Sequence, residues 1–188
     1  MPQKTELSIT GQSFEHLKKI NDQDIASALR CEAARIEEDA TYSSKSHFNA
    51  AGTWERRHYW LGIPATVLAA VAGASLLKSY PVLASVFALL ASLLTGLMTF
   101  LNPNERAAMH RVAGGQFLAL RNDARLFREV ELLQTERLNE LPERLKALSA
   151  IRNELNQKSP SIPRGAFAAA RKGIEEGEAT HKVDKEEK

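Results

Sequence analysis

The chain has a single cysteine, Cys31, among 188 residues. No intramolecular disulfide can form, which suits polar arms in a reducing cytoplasm. Strong charge of either sign is also missing. The net charge is +2, with 8 basic and 9 acidic residues over 1–58 and 16 and 14 over 102–188. Neither arm is basic enough to hold nucleic acid, so no nucleic-acid partner is expected. There is no nucleophile elbow, no phosphate-binding glycine loop and no HExxH. The five histidines (His16, His47, His58, His110 and His181) show no metal-ligand spacing. The residues therefore point away from an enzyme and imply no cofactor, catalytic group or metal site. Acidic runs at Glu37–Glu38–Asp39 and Glu175–Glu176 read as solvated helix faces.

Charge is absent altogether from two stretches. Residues 59–77 hold none over 19 positions and residues 81–101 none over 21, with Lys78, Ser79 and Tyr80 between them. At about 1.5 Å per residue each run is roughly 28–32 Å long, the thickness of a hydrocarbon core. Neither run has the polar stripe of a soluble core helix. The mean hydropathy is nonetheless slightly negative, so the arms are too polar to wrap such a pair. The pattern predicts an all-α membrane protein: a transmembrane hairpin (59–77 and 81–101) carrying long cytoplasmic helices packed as a coiled or bundle-like arm. Arg56, Arg57, Arg106 and Arg111 flank the outer ends, against Lys78 alone in the turn. That asymmetry places both termini of this multi-pass chain in the cytoplasm. Tyr59 and Trp60 mark one interface and Tyr80 the other.

The remaining segments follow from periodicity and breakers. Residues 1–23 read as a loose arm with at most a short helix around 14–20. Residues 24–58 read as a cytoplasmic helix with a seam at Ala26, Leu29, Ala33, Ile36, Ala40, Ser43, His47, Ala50 and Trp54. His47 on that seam reads as a packed or hydrogen-bonded residue, and His58 and His110 as interfacial ones. Gly62–Ile63–Pro64 predicts a kink or a fresh helix start. Residues 102–178 read as C-terminal cytoplasmic helices. Asn102, Pro103 and Glu105 are N-cap, first and third helical positions. The seam then runs Ala113, Phe117, Leu120, Ala124 and Phe127, and continues through Leu138, Leu141, Leu145, Leu148, Ile151 and Leu155. A new helix is expected near Glu140–Pro142, a break over 159–163, a last helix over 166–178, and a charged tail over 179–188.

Small residues recur every fourth position within the apolar runs. Ala65, Ala69 and Gly73 form one helix-packing ridge; Ala84, Ala88, Ser92 and Gly96 form the other. Such ridges let backbones approach closely in lipid, within the hairpin or between subunits. The hydroxyls available to a polar path are Thr66, Ser75, Ser85, Ser92, Thr95 and Thr99, although each can instead bond its own helix. Counted from Ser79, Gly62 and Gly96 lie at equal depth, with Pro64 and Thr95 beside them. Gly62, Pro64, Asn102 and Pro103 are therefore the candidate hinge between arm and membrane.

The order of parts is distinctive: a long helix, Trp54 with Arg56 and Arg57, two short spans, then FLNPNERAAMH and an aromatic helix ending at Arg121. Together with RHYWLGIPATVLAAVAG, LLTGLMTFLNPNERAAMHRVAG, LRNDARLF and GAFAAARKGIEEGEA, it resembles the SLATT family of two-transmembrane effectors of bacterial conflict systems. The similarity extends from Ala26 to Asp184. It implies a membrane effector that forms pores or perturbs the bilayer in antiviral defence. It also implies a nucleotide second messenger as trigger, or the synthetase or sensor protein that makes or recognises one. Two helices cannot enclose a pore, so such an effector is a homo-oligomer whose other partner is the lipid bilayer. The alternative is a membrane-anchored helical scaffold that recruits a soluble protein and conducts nothing.

Overall fold

The structure is a computed structural model. It describes the backbone of residues 3–134 and 139–181, and the side chains of 23–76, 78–134 and 139–181. The protein is all-helical, 88% helix with no strand among the described residues. In chain order it has α1 (Gln3–Leu77), α2 (Pro81–Leu101), α3 (Pro103–Glu129), a 3-10 turn (Glu131–Leu133), α4 (Leu141–Lys158) and α5 (Arg164–Glu175). It divides into two compact units. One holds Met1–Thr41 with Gln116–Lys158; the other holds Tyr42–Gly115 with Ser159–Lys188.

The first unit is a small helical bundle with an ordinary hydrophobic core. Leu29, Ala33, Ile36 and Ala40 of α1 meet Phe117, Leu120, Ala124 and Phe127 of α3 and Leu141, Leu145, Leu148 and Leu155 of α4. The expected seams account for all of this core except Leu132 of the 3-10 turn. Ile151, on the expected seam, lies exposed. Leu138 falls outside the described residues. Ion pairs border the core. Arg128 meets Glu37 at 3.0 Å, and Arg152 reaches Asp39 at 3.3 Å and Glu32 at 3.9 Å. The acidic run at 37–39 is thus partly spent on pairing rather than wholly solvated.

The second unit contains the two apolar helical stretches, and its helix ends are set by recognisable local chemistry. At the end of α1, Ser79 adopts φ 62°. Its N–H donates to Leu76 and that of Tyr80 to Ser75, a Schellman pattern that satisfies terminal carbonyls. Serine replaces the usual glycine there, at a cost of roughly 1–2 kcal/mol. Pro81 then opens α2 at a position where a missing N–H is harmless. Asn102 ends α2 in the left-handed conformation, φ 42° and ψ 56°, with its N–H on the Met98 carbonyl. Its own carbonyl accepts from Arg106 to begin α3. As expected, α3 starts at Pro103, but the Asn102 side chain bonds the Glu105 carboxylate rather than a backbone donor. The last helix, expected over 166–178, runs 164–175. Gly177, φ 89°, closes it with a second Schellman pattern: Gly177 N–H to Ile174 and Glu178 N–H to Gly173.

One boundary differs from expectation. Residues 1–23, 24–58 and 59–77 were separate segments in the sequence reading, yet a single helix runs from Gln3 to Leu77 through Gly62 and Pro64. Proline removes one donor, the one that would reach the Trp60 carbonyl. Every other turn of that ladder stays intact, so the helix does not restart. Residues 182–188 of the expected charged tail lie outside the described residues.

Two helices are long and apolar enough to cross a membrane, and their most apolar stretches are only 17% and 11% buried. Val82, Leu89 and Phe100 are 77%, 72% and 86% exposed. A soluble core pair would have these side chains covered.

Candidate functional site

The chemistry of the second unit collects where the apolar stretches give way to polar helix. About two to three turns away from that level, His47 of α1 and His110 of α3 meet at Nδ1 to Nδ1, 2.9 Å apart. Both rings are buried, 1% and 4% exposed. Neutral imidazole offers one donor and one acceptor, so this contact requires opposite tautomers in the two rings. Burial, and secondarily the His110 charge, lowers His47 to about 4; burial, and then Arg106, lowers His110. Both are therefore neutral at pH 7. Ser44 Oγ donates to the Gly114 carbonyl at 2.9 Å in the same layer. A Cβ at Gly114 would lie 3.1 Å from the Phe48 ring, so any larger residue would have to displace that side chain.

Closer to the apolar stretch, Trp54 carries two guanidinium groups. Arg57 lies 4.4 Å and Arg106 5.1 Å from the centre of its ring, both within cation–π range. Arg106 Nε also donates to the Leu101 carbonyl at 2.9 Å. Arg111 pairs with Glu55. Next along α1, His58 Nδ1 is buried with no hydrogen-bond partner among the described residues. His58, Tyr59, Gly62, Ile63, Thr66, Val67 and Met98 line a groove of about 400 Å³. On the far flank of the unit, α5 packs its small residues inward. Ala166, Ala170 and Gly173 are buried, Asn49 Nδ2 donates to the Ala166 carbonyl at 3.4 Å, Tyr42 lies 6.3 Å from the Phe167 ring, and Lys45 pairs with Glu178.

The helix-packing residues divide into two groups. Ala65 and Ala84 are buried. Ala69, Gly73, Ala88, Ser92 and Gly96 are exposed, and a Cβ at Gly73 or Gly96 would meet nothing within 4 Å. Inside one chain the contact instead uses Ala65, Ala72 and Ser75 of α1 with Ala84 and Ala91 of α2. Ala65 to Ala72 and Ala84 to Ala91 step by seven, with Ser75 three residues further on, the periodicity of left-handed helix packing rather than the fours of a glycine ridge. Opposite Gly62 stands Met98, with Sδ 3.4 Å from where a Cβ would be, and not Gly96.

Ser85, Ser92, Thr95 and Thr99 follow one face of α2, whereas Thr66 and Ser75 lie on opposite sides of α1. Thr66, Ser85, Thr95 and Thr99 donate to the carbonyls of Gly62, Pro81, Ala91 and Thr95, each four residues back. Ser75 is buried and Ser92 exposed. Of the hinge residues, Gly62 faces the groove, Pro64 sits within a continuous helix, and Asn102 and Pro103 form the bend between α2 and α3, with Pro103 fully buried. The histidine pair was the residue set sequence reading missed. Its signal was present, because His110 extends the α3 seam one step back from Ala113 just as His47 lies on the seam of α1.

No family model, curated protein or solved structure matches this chain. Among the described residues no group of three His, Cys, Asp or Glu side chains is placed to hold a metal.

Proposed function

We propose that the chain is an oligomeric effector of the inner membrane. The reading rests chiefly on the exposed apolar surface of the paired stretches in α1 and α2, whose length matches a bilayer. In this reading residues 59–77 and 81–101 form a transmembrane hairpin, the turn at Ser79 lies on the far side, and both termini remain in the cytoplasm. The outward small residues Ala69, Gly73, Ala88, Ser92 and Gly96 then face other copies rather than the hairpin mate. Several copies together enclose or thin a patch of bilayer.

The resemblance to SLATT effectors supplies the setting: a bacterial defence system in which a nucleotide second messenger, or the protein that makes or senses one, acts on the cytoplasmic helices. The bend at Asn102–Pro103 joins α2 directly to α3, so movement of the helical arm reaches the membrane without a flexible linker. The test is dye release from liposomes containing the purified protein, with and without candidate nucleotides. Release that rises steeply with protein density supports an assembling effector. Stable insertion without release at any density would favour a membrane-anchored scaffold.

A further inference from the structure

Most arginines and lysines with described side chains outside the apolar helices have a carboxylate partner. Arg57 and Arg106 have none among the described residues, although they come from different helices and share one indole. Two guanidinium groups within about 5 Å of one ring centre repel one another, and an anion between them would relieve that repulsion. The indole holds both groups close to one point, and guanidinium forks match the geometry of phosphate oxygens. The same face of α1 continues at steps of four through His58 and Gly62 into the apolar groove that ends at Met98. From Trp54 to Gly62 the helix rises roughly 12 Å. Along that distance the surface changes from doubly cationic to apolar, with Tyr59 and Trp60 beside it exposed to the surroundings.

A free phosphate or a soluble nucleotide would use the cationic end and leave the groove empty. A phospholipid uses both. We propose that Trp54, Arg57 and Arg106 bind the phosphate of an anionic phospholipid, with one acyl chain lying in the groove formed by His58, Gly62, Thr66 and Met98. This rests on the membrane reading above, since it requires these residues to sit at the cytoplasmic face of a bilayer. Arg56 provides the internal contrast. It is adjacent in sequence, yet its Nε turns back to the Gly52 carbonyl at 3.4 Å and it does not stack on Trp54.

The experiment is native mass spectrometry of the full chain released from nanodiscs of phosphatidylglycerol mixed with phosphatidylcholine. Wild type should retain phosphatidylglycerol in preference to phosphatidylcholine. Each arginine hydrogen-bonded to the phosphate contributes about tenfold or more in affinity, so R57Q/R106Q should retain roughly 100-fold less. R56Q should retain as much as wild type. The single variant R57Q keeps the Arg106 bond to Leu101 and tests the site should the double variant fold poorly; it should lose about tenfold. Millimolar inorganic phosphate should not displace the lipid. Equal losses in R56Q and R57Q would reduce the effect to general surface charge and overturn the site. Retention of both lipids alike, or full displacement by inorganic phosphate, would overturn it too. Carbonate extraction of membranes expressing wild type separates the two readings. A chain that stays in the membrane but fails the lipid tests refutes only this site, whereas one that is extracted refutes the membrane reading along with it.

Discussion

Acid should weaken the joint between His47 and His110, by an amount the structure bounds. The rings touch at 2.9 Å and are almost wholly buried. A first proton can be shared between the facing nitrogens. A second leaves two donors and two positive charges opposed, and the contact breaks. His47 titrates in the folded chain at about 4, below the ordinary 6.5, because burial and then His110 disfavour its charged form. Since the folded value is lowered, the unfolded chain binds more protons in this range. The stabilisation is complete above pH 6.5 and is lost as pH falls from 6.5 towards 4. At about 1.4 kcal/mol per pH unit, His47 accounts for roughly 3 kcal/mol at most. In a chain of this size that corresponds to a fall in Tm of roughly 6–12 °C. Thermal unfolding in detergent, followed by circular dichroism at pH 7.5, 5.5 and 4.5, measures it. The variant His47→Gln/His110→Gln, which keeps a neutral polar pair, should lose much less over the same interval. Equal pH dependence in the two proteins would refute the argument.

Two further substitutions separate packing within a chain from packing between chains. Gly73→Leu and Gly96→Leu act at positions where an added Cβ meets nothing within 4 Å in a single chain. They should leave Tm within about 2 °C of wild type while shifting the oligomer size seen by analytical ultracentrifugation; loss of folding would show that the two helices pack on the glycine ridges after all. Phe127→Ala should remove about 3–5 kcal/mol from the bundle core, since Phe127 is fully buried. A destabilisation below 1 kcal/mol in denaturant titration would mean that Phe127 lies outside the core.

Much of this architecture was legible in the residues because its signals are local. Uncharged runs of bilayer length marked both apolar helices, and Pro81, Pro103 and the 159–163 break fixed where helices begin and end. The seams from Leu29 to Ala40 and from Phe117 to Phe127 identified the bundle core. What escaped was set by partners distant in sequence. Whether Pro64 breaks or only interrupts a helix depends on the turns on either side of it, and here they hold. Alanine occurs on several faces of α1 and α2, so a four-residue ridge and a seven-residue seam coexist in one sequence; only the position of the neighbouring helix decides between them. His47 and His110 lie 63 residues apart, and no local pattern pairs them. The stacking of Arg106 on Trp54 arises because the start of α3 continues alongside α1 in the direction of α2, pairing 106 with 54, 110 with 47 and 114 with 44.

The central claim is that the apolar stretches of α1 and α2 cross a membrane with the turn on the far side. Ser79→Cys in a Cys31→Ser background tests it directly. The substitution is nearly isosteric, and Ser79 is exposed. An impermeant thiol reagent applied to the outer face of the inner membrane, in spheroplasts, should label that cysteine without lysis. Labelling only after the membrane is broken would contradict the account.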